Sequence, residues 1–391
     1  MSIHSKFNNY DKNFIFQCKS LKECSGCHSF ELNYQDQLNL KKQTFLSLLL
    51  SSLVITEESN IPFEALSAGP EGLRDRLDFS WQNGRLGLYR VDSREILDLP
   101  YCPQLSPRLQ EFYSEFRKIR WPLEKASFRL RVSPKGEWGV WIDCANVDIK
   151  KLLDEESILK SLLSKAFIEM GQRRKVLTST PEGLKLKDPQ HLPWFSTWGG
   201  DQELALFCQV ASFTQPSHQA NRLITDLIQQ WIKEIDQPRV IEFGSGIGNL
   251  TLPAAMFAKS LLACEIDQLA LEGLEMSLQH LPSSVANLKE KIQIFRGDFQ
   301  RKIQQSFRDF DLILANPPRS GLMNFLNPLA DLSLNERPPY FLYMSCFPES
   351  MAVDLGRLKE FGYSLKKIAL IDQFPQTQHF EVIGLLQREE L

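Results

Sequence analysis

"VIEFGSGIGNLTLPAA", residues 240–255, decides the fold class of this chain. A short apolar strand runs into a loop with Gly244, Gly246 and Gly248, and a helical stretch follows. Glycine lets the backbone turn tightly and lets a ligand approach the main chain. A dinucleotide fingerprint would have its third glycine at position 249, where this chain has Asn249. The loop therefore predicts a strand–helix turn that binds a cofactor other than a dinucleotide.

Two acidic residues follow the loop at a spacing typical of a nucleoside pocket. Glu265 ends the next strand, where a carboxylate binds ribose hydroxyls. Asp298 follows the third strand, from which it would reach an adenine amino group. This order of elements fits S-adenosylmethionine better than a dinucleotide. The alternative is an ordinary βα turn without a ligand.

Strand–helix alternation from about residue 206 predicts a doubly wound sheet. Such alternation gives mainly parallel strands that are covered by helices on both faces. We expect a Rossmann-like α/β domain with a mainly parallel seven-stranded sheet over residues 206–391. Its readable strands are 239–243, 260–265, 292–296, 311–315, 340–345 and 380–387.

The first half of the chain has a different pattern, in which aromatic and polar residues alternate. Asn83-Gly84 and Pro134-Lys135-Gly136 are hairpin signals between strand-like stretches. We predict a smaller, antiparallel-β-rich α+β domain at 61–205. Residues 35–60 are predicted to form a helix that packs on the C-terminal domain, and residues 1–34 a separate N-terminal segment.

Composition limits the classes of protein to consider. The 391 residues are 43% hydrophobic and 24% charged, as in soluble proteins of two or more domains. No apolar run reaches the ~18 residues that cross a bilayer, and the start lacks a signal-peptide pattern. We therefore expect a cytoplasmic protein without a membrane partner or an obligate protein partner. The net charge of −3 gives no general attraction to nucleic acid, so such binding would need a local basic patch.

Three further sites fall at the ligand edge of the predicted sheet or in the neighbouring loops. "NPPRSG", residues 316–321, follows the fourth strand and places the amide of Asn316 at the edge. Cys346 follows the fifth strand, and Glu381 begins the last one. A cysteine at a strand end is usually a small buried hydrophobe, but at this edge it is also a candidate nucleophile.

One reaction needs a thiolate, a carboxylate base and a sulfonium methyl donor together. Carbon 5 of uracil is too weak a nucleophile to accept a methyl group unaided. Addition of a thiolate to carbon 6 makes carbon 5 enolate-like, so that carbon 5 can attack the methyl group of the donor. A base then removes the carbon 5 proton, and the thiolate leaves. In this interpretation Cys346 is the nucleophile and Glu381 is the base.

On these motifs the chain resembles the RNA (uracil-5-)-methyltransferases, which form 5-methyluridine in bacterial rRNA and tRNA. "SCFPES" (345–350) resembles the family's Ser-Cys-Asn-Pro motif, and "FPQTQHFEVIGLL" (374–386) its closing motif. "SFTQPSHQAN" (212–221) resembles the cofactor segment. The resemblance implies a class I methyltransferase fold and an RNA-binding central domain. It implies cofactor contacts at Gln215, Gly244, Gly246, Asn249, Glu265, Asp298 and Asn316.

Cys18, Cys24, Cys27 and Cys102 form a second candidate site. Three closely spaced thiols and a distant fourth suit a four-thiolate iron–sulfur cluster or a structural zinc ion. The family resemblance favours a [4Fe–4S] cluster, since several members have one at these positions. Its expected role is to attach the N-terminal segment, not to carry out redox catalysis.

The sequence departs from the family pattern at two positions and leaves the substrate open. Asn316 replaces the usual Asp before Pro-Pro-Arg, and Phe347 replaces the usual Asn after the cysteine. We expect the chain to lack an N-terminal β-barrel (TRAM) domain, and in this it resembles the shorter branch of the family, which modifies 23S rRNA. This resemblance makes rRNA the favoured substrate and tRNA the alternative. Two other readings are an N-methyltransferase that uses Asn316-Pro-Pro and a non-catalytic RNA-binding protein.

Overall fold

The computed structural model describes residues 10–28, 31–297 and 307–389. Within these ranges the strands, in chain order, are β1 (Phe63–Ser67), β2 (Arg76–Gln82), β3 (Arg85–Tyr89), β4 (Ile96–Asp98), β5 (Lys125–Val132), β6 (Trp138–Asp143), β7 (Ala166–Met170), β8 (Lys175–Thr180), β9 (Gly183–Lys187), β10 (Leu192–Gly199), β11 (Gln202–Cys208), β12 (Arg239–Phe243), β13 (Ser260–Glu265), β14 (Ile292–Arg296), β15 (Leu312–Ala315), β16 (Tyr340–Ser345), β17 (Tyr363–Asp372) and β18 (Glu381–Arg388). The α-helices of the same ranges are α1 (Tyr34–Ser51), α2 (Pro107–Phe116), α3 (Asn146–Asp154), α4 (Glu156–Leu163), α5 (His218–Lys233), α6 (Thr251–Phe257), α7 (Gln268–Gln279), α8 (Leu288–Lys291), α9 (Asn327–Ala330) and α10 (Pro348–Glu360).

The first sheet carries the predicted cofactor loop. Its strand order is β1-β17-β18-β16-β15-β12-β13-β14. All neighbouring strands are parallel except β18, which is antiparallel to both β16 and β17. The predicted doubly wound, mainly parallel α/β sheet is therefore confirmed. Because β18 runs in the opposite direction, its first residue lies at the same edge as the last residue of β16.

The first sheet differs from the prediction in the number of its strands. It has eight strands among the described residues, because β1 pairs in parallel with the edge strand β17. The predicted number of seven strands is correct for residues 206–391, where the described residues form β12 to β18, and β1 adds an eighth strand from outside that range. β1 was expected within the 61–205 domain, but its partner lies about 300 residues further along the chain. Such a pairing leaves no local signal in the sequence.

The second sheet is built from the strands between residues 76 and 187, in the order β4-β3-β2-β5-β6-β7-β8-β9. Its pairs are antiparallel except β6 with β7. The predicted hairpin at Asn83-Gly84 is confirmed, since both residues have positive φ values, 50° and 82°, as a two-residue turn of type I′ requires. β10 and β11 form a separate hairpin.

The two faces of the first sheet are covered by different helices. On one face, α5 and the β10–β11 hairpin bury Leu223, Ile224 and Leu206 against the strands. On the other face, α1 contributes Phe45 and Leu49 to the same core as α10. The helix α1 therefore packs against the sheet that carries the candidate site. No helix in the described part of the chain is long and apolar enough to span a membrane.

Candidate active site

Cys346 and Glu381 meet at one edge of the first sheet. β16 ends at Ser345 and β18 begins at Glu381, and the last residues paired between them are Ser345 and Val382. Cys346 and Glu381 are the next residues beyond this pair, and the negative charge of Glu381 acts on the Cys346 thiol. Opposed residues of antiparallel strands have their Cα atoms about 5 Å apart. The strand register thus brings the predicted nucleophile next to the predicted base.

Cys346 is presented by a tight strand–helix turn. The Ser345 hydroxyl accepts a hydrogen bond from the backbone N–H of Phe347 (3.1 Å), which bends the chain directly after the strand. Pro348 then begins α10, where its missing N–H has no cost. The Cys346 side chain is left half-buried at this turn.

The glycine loop lies against the loop that follows β15. Gly244 has φ of 74°, and a Cβ atom there would come within 2.8 Å of the carbonyl oxygen of Asn316. Only glycine fits a position with both constraints. The backbone N–H of Asn316 in turn donates to the carbonyl of Phe243 (3.2 Å). The two loops therefore form one continuous wall.

A cavity of about 650 Å³ opens between these loops and the ends of the strands. Seven of the predicted site residues line it: Gln215, Gly244, Gly246, Glu265, Asn316, Cys346 and Glu381. Another cavity of about 650 Å³ lies at Trp138, Phe167 and Trp194, but no cysteine lines it. The first cavity is the one in which a cofactor, a thiol and a carboxylate can meet.

The other predicted cofactor residues have different positions. The Glu265 carboxylate accepts hydrogen bonds from the backbone N–H groups of Gly246 (2.9 Å) and Ile266 (2.7 Å), so the glycine loop fixes its orientation. Asn249 does not line the cavity, and its side-chain amide pairs with that of Asn221 instead (2.8 Å). Asp298 lies outside the described residues.

Glu381 has the electrostatics of a base that works near neutral pH. Its side chain is buried, and burial raises the pKa of Glu381 to about 7. A hydrogen bond from Gln373 (2.7 Å) and the positive charge of Arg319 act in the opposite direction on this pKa. A carboxyl group with a pKa near the working pH can accept a proton in one step and release it in the next.

Comparisons with known proteins identify the family. Residues 200–389 match the family model described as tRNA (Uracil-5-)-methyltransferase. An uncharacterized RNA methyltransferase of Bdellovibrio bacteriovorus is 55% identical over 390 residues, which cover 100% of each chain. The chain belongs to the RNA (uracil-5-)-methyltransferase family. As a member of this family it is an S-adenosylmethionine-dependent enzyme that methylates carbon 5 of uracil in RNA.

Two more distant members of this group have informative names. The 23S rRNA (uracil(1939)-C(5))-methyltransferase RlmD of Shewanella woodyi is 27% identical over 392 residues, covering 95% of this chain and 81% of that protein. The solved tRNA (uracil-54, C5)-methyltransferase of Pyrococcus abyssi, in complex with S-adenosyl-L-homocysteine, has a TM-score of 0.64 and 19% identity, covering 93% of this chain and 86% of that one. The latter likeness shows that the methyltransferase has the fold of that enzyme.

Arg319 is a site residue of this methyltransferase that sequence reasoning did not select. It lines the cavity beside Cys346. Burial and the negative charge of Glu381 raise the pKa of the Cys346 thiol, whereas a hydrogen bond and the positive charge from Arg319 lower it. The loop of Arg319 is anchored by Asp354, which accepts hydrogen bonds from the backbone N–H of Leu322 (2.7 Å) and the hydroxyl of Tyr343 (2.7 Å). The signal in the sequence was the Pro-Pro-Arg turn itself.

Loss of the Arg319 charge should make Cys346 less reactive. In Arg319→Met the pKa of the thiol rises further, so less thiolate is present at pH 8 and alkylation by iodoacetamide slows about threefold to tenfold. Arg319→Lys keeps the charge and should stay closer to the wild-type rate. The rates are measured by peptide mass spectrometry of Cys346. An unchanged rate in Arg319→Met would show that Arg319 does not act on the thiol.

The four early cysteines line a third, smaller cavity of about 280 Å³. Burial and the nearby Cys102, Cys24 and Cys18 thiols raise the pKa of Cys27 to about 12. Nevertheless, no set of three or more His, Cys, Asp or Glu side chains within 10–28, 31–297 and 307–389 is gathered as in a metal site. Four cysteine thiols are the type of ligand that a thiolate-bound metal needs, but the metal site itself stays a prediction.

Proposed function

We propose that this enzyme methylates carbon 5 of a uridine in 23S rRNA through a covalent bond between Cys346 Sγ and carbon 6 of the base. The observation that carries this proposal is the strand register, which sets Cys346 next to Glu381 at the wall of the 650 Å³ cavity. A thiol and a base on the same side of a cofactor cavity are what this chemistry requires. Arg319 lowers the pKa of the thiol from within the same site.

The proposed reaction has four steps. The Cys346 thiolate attacks carbon 6, the C5=C6 double bond opens, and negative charge spreads over carbon 5 and oxygen 4. Carbon 5 then attacks the sulfonium methyl group that S-adenosylmethionine supplies, and S-adenosylhomocysteine leaves. Glu381 takes the proton from carbon 5, and the returning electron pair restores the double bond while it expels the thiolate. The proton on Glu381 passes to solvent before the next cycle.

The residues of the cavity fit the methyl donor. Gly246 leaves room for a ligand against the main chain, since a Cβ atom built there would meet no atom of the described residues within 4 Å, whereas Gly244 allows the close approach of the Asn316 carbonyl. We propose that Glu265 binds the ribose hydroxyls and that Gln215 and Asn316 contact the rest of the donor. Asp298 keeps its proposed adenine contact, and Asn249 would act only indirectly, through the Asn221 side chain.

One arginine–aromatic pair at the cavity supports RNA as the partner in spite of the net charge of −3. Phe213 lines the cavity and is 73% exposed, with the guanidinium carbon of Arg76 5.4 Å from its ring centroid. Exposed aromatic rings stack on unpaired bases, and arginines contact the backbone. The choice of 23S rRNA rests on the names of relatives such as the Shewanella woodyi enzyme. We further propose that the enzyme works in the cytoplasm.

The test is methylation of defined RNAs. Purified enzyme and S-adenosylmethionine are incubated with unmodified 23S rRNA and, in parallel, with unmodified tRNAs, and the RNA is digested to nucleosides for mass spectrometry. We expect 5-methyluridine in the rRNA digest. 5-Methyluridine in the tRNA digest alone would overturn the rRNA assignment, and methylated amino groups without 5-methyluridine would favour the N-methyltransferase reading.

We also propose that Cys18, Cys24, Cys27 and Cys102 hold a [4Fe–4S] cluster, with zinc as the alternative. The support is the donor set: four thiols on one small cavity between the N-terminal segment and the second sheet. When bound, the cluster would tie these two parts of the chain together.

The cluster proposal predicts a metal content. Protein purified without oxygen should contain about four iron and four sulfide ions per chain. Cys27→Ser should lose most of this iron, whereas Cys144→Ser, at a thiol outside the cavity, should keep it. One zinc ion per chain without iron would replace the proposal by its alternative. No metal in freshly prepared protein would refute both.

A further inference from the structure

Gln373 connects the two halves of the active site through its amide group. It follows β17 and is 0% exposed. Its Nε2 donates one hydrogen bond to Glu381 Oε1 and another to Gln215 Oε1, both at 2.7 Å. Gln215 and Glu381 line the cavity, whereas Gln373 lies behind them. A single buried amide thus joins the proposed base to the residue of the cofactor segment.

The order of donors and acceptors in this chain follows from the charge on Glu381. An ionised carboxylate only accepts hydrogen bonds, so Gln373 must turn its NH₂ group toward Glu381. The second hydrogen of that NH₂ group then points to Gln215, which accepts the hydrogen bond through its side-chain oxygen. The amide N–H groups of Gln215 are consequently left for an acceptor atom of a ligand in the cavity.

The oxygen of Gln373 shows that the NH₂ group is what holds this side chain. Gln373 Oε1 is buried, and no group within the described residues donates a hydrogen bond to it. A buried acceptor without a partner is unfavourable. The Gln373 side chain is therefore held by the two hydrogen bonds that its NH₂ group donates to Gln215 and Glu381, and its oxygen does not contribute.

A buried network fixes the backbone next to Gln373. Asp372 is 0% exposed and accepts hydrogen bonds from Lys41 Nζ (2.8 Å) and the Tyr34 hydroxyl (2.8 Å), both on α1. The backbone N–H of Phe374 also donates to Asp372 (3.1 Å). With its neighbours on both sides held in this way, the position of Gln373 is fixed relative to the sheet.

We propose that Gln373 is a positioning residue that holds the carboxylate of Glu381 toward the substrate and makes Gln215 present its amide N–H groups to the cavity. This inference rests on the proposed role of Glu381 as the base. Loss of the Gln373 bond removes a donor that stabilises the ionised carboxylate, so the pKa of Glu381 should rise. A smaller fraction of Glu381 is then ionised at neutral pH, and the orientation of its carboxylate in the site is no longer fixed.

The test compares Gln373→Met with Gln376→Met in the full-length enzyme. Methionine has nearly the length of glutamine and removes both hydrogen bonds as well as the unpaired oxygen. Gln376 lies in the same loop and is also 0% exposed, but it bonds to Gln37 and to the carbonyl of Pro70 (2.8 and 3.1 Å), away from the cavity. It is therefore a matched control for general damage to the loop.

Two rates are measured across pH 6–9 in single turnovers. Release of tritium from RNA with [5-³H]uridine reports removal of the carbon 5 proton, and adduct formation with 5-fluorouridine RNA reports attack by Cys346 without this step. Both rates depend on the ionised Cys346 thiol. Dividing the rate of tritium release by the rate of adduct formation therefore cancels the pH dependence that is due to Cys346. For Gln373→Met we expect the midpoint of the quotient to move up by about one pH unit, and tritium release at pH 7 to fall about 10- to 100-fold.

The outcomes separate this inference from the proposed function. Full adduct yield at long times shows that Gln373→Met is folded and keeps Cys346 active. A midpoint unchanged in Gln373→Met, or shifted equally in Gln376→Met, overturns the positioning role. If the wild-type enzyme itself forms no adduct and releases no tritium, the covalent mechanism fails first.

Discussion

Replacing Cys346 with alanine should abolish formation of 5-methyluridine, with a loss of at least about 10⁴-fold in rate. Without the thiolate, carbon 6 receives no nucleophile, and carbon 5 stays too unreactive to accept the methyl group. The loss is measured as 5-methyluridine per enzyme by mass spectrometry of nucleosides. Binding of S-adenosylhomocysteine should be preserved, because Cys346 acts on the base and not on the donor.

Cys264→Ala is the matched control for this variant. Cys264 is fully buried at the end of β13 in the same sheet, and its thiol does not line the cavity. We expect a modest loss of stability from the smaller side chain and nearly full methylation. If Cys346→Ala also kept its methylation activity, the nucleophile would have to be another group, and the reaction would not be the proposed one.

Glu381→Gln should stop the enzyme in the middle of its cycle. Cys346 can still attack and carbon 5 can still take the methyl group, but no carboxylate is present to remove the proton. Turnover should fall by about 10²- to 10⁴-fold, while RNA carrying the labelled methyl group accumulates in covalent linkage to the protein. The adduct is detected on a denaturing gel with methyl-labelled S-adenosylmethionine and RNA that contains ordinary uridine.

Glu169→Gln provides the comparison for Glu381→Gln. Burial raises the pKa of Glu169 to about 7, as for Glu381, but this carboxyl accepts hydrogen bonds from the backbone N–H groups of Val210 and Ala211, away from Cys346. The substitution should weaken this contact without any accumulation of adduct. Equal accumulation in both variants, or none in Glu381→Gln, would contradict the role of Glu381 as the base.

Local patterns in the sequence predict most of the site because its parts lie on consecutive βα units. The strands at 239–243, 260–265 and 292–296 have the predicted bounds, and the glycine loop follows the first of them. In a parallel sheet the carboxyl ends of the strands share one edge, so Gly244, Asn316 and Cys346 could be placed together from their positions alone.

The features that the sequence did not predict depend on long-range pairing. The predicted strands do not include β17, so the direction of β18, and with it the register between Cys346 and Glu381, could not be derived. The role of Gln373 could not be predicted for the same reason. A glutamine after a strand looks like an exposed loop residue unless its buried partners are known, and Gln215 lies 158 residues away. The family resemblance implies a cofactor contact for Asn249, but its side chain bonds to Asn221 of α5 instead.

Trapping with 5-fluorouridine shows directly whether Cys346 forms a covalent bond with the base. 23S rRNA fragments that contain this base are mixed with S-adenosylmethionine and protein purified without oxygen, and the products are separated on a denaturing gel. Fluorine cannot leave as a proton does, so we expect a protein–RNA adduct whose nucleotide maps by peptide mass to Cys346. If no RNA forms an adduct in a sample that binds S-adenosylhomocysteine, Cys346 is not the nucleophile and is only a packed thiol.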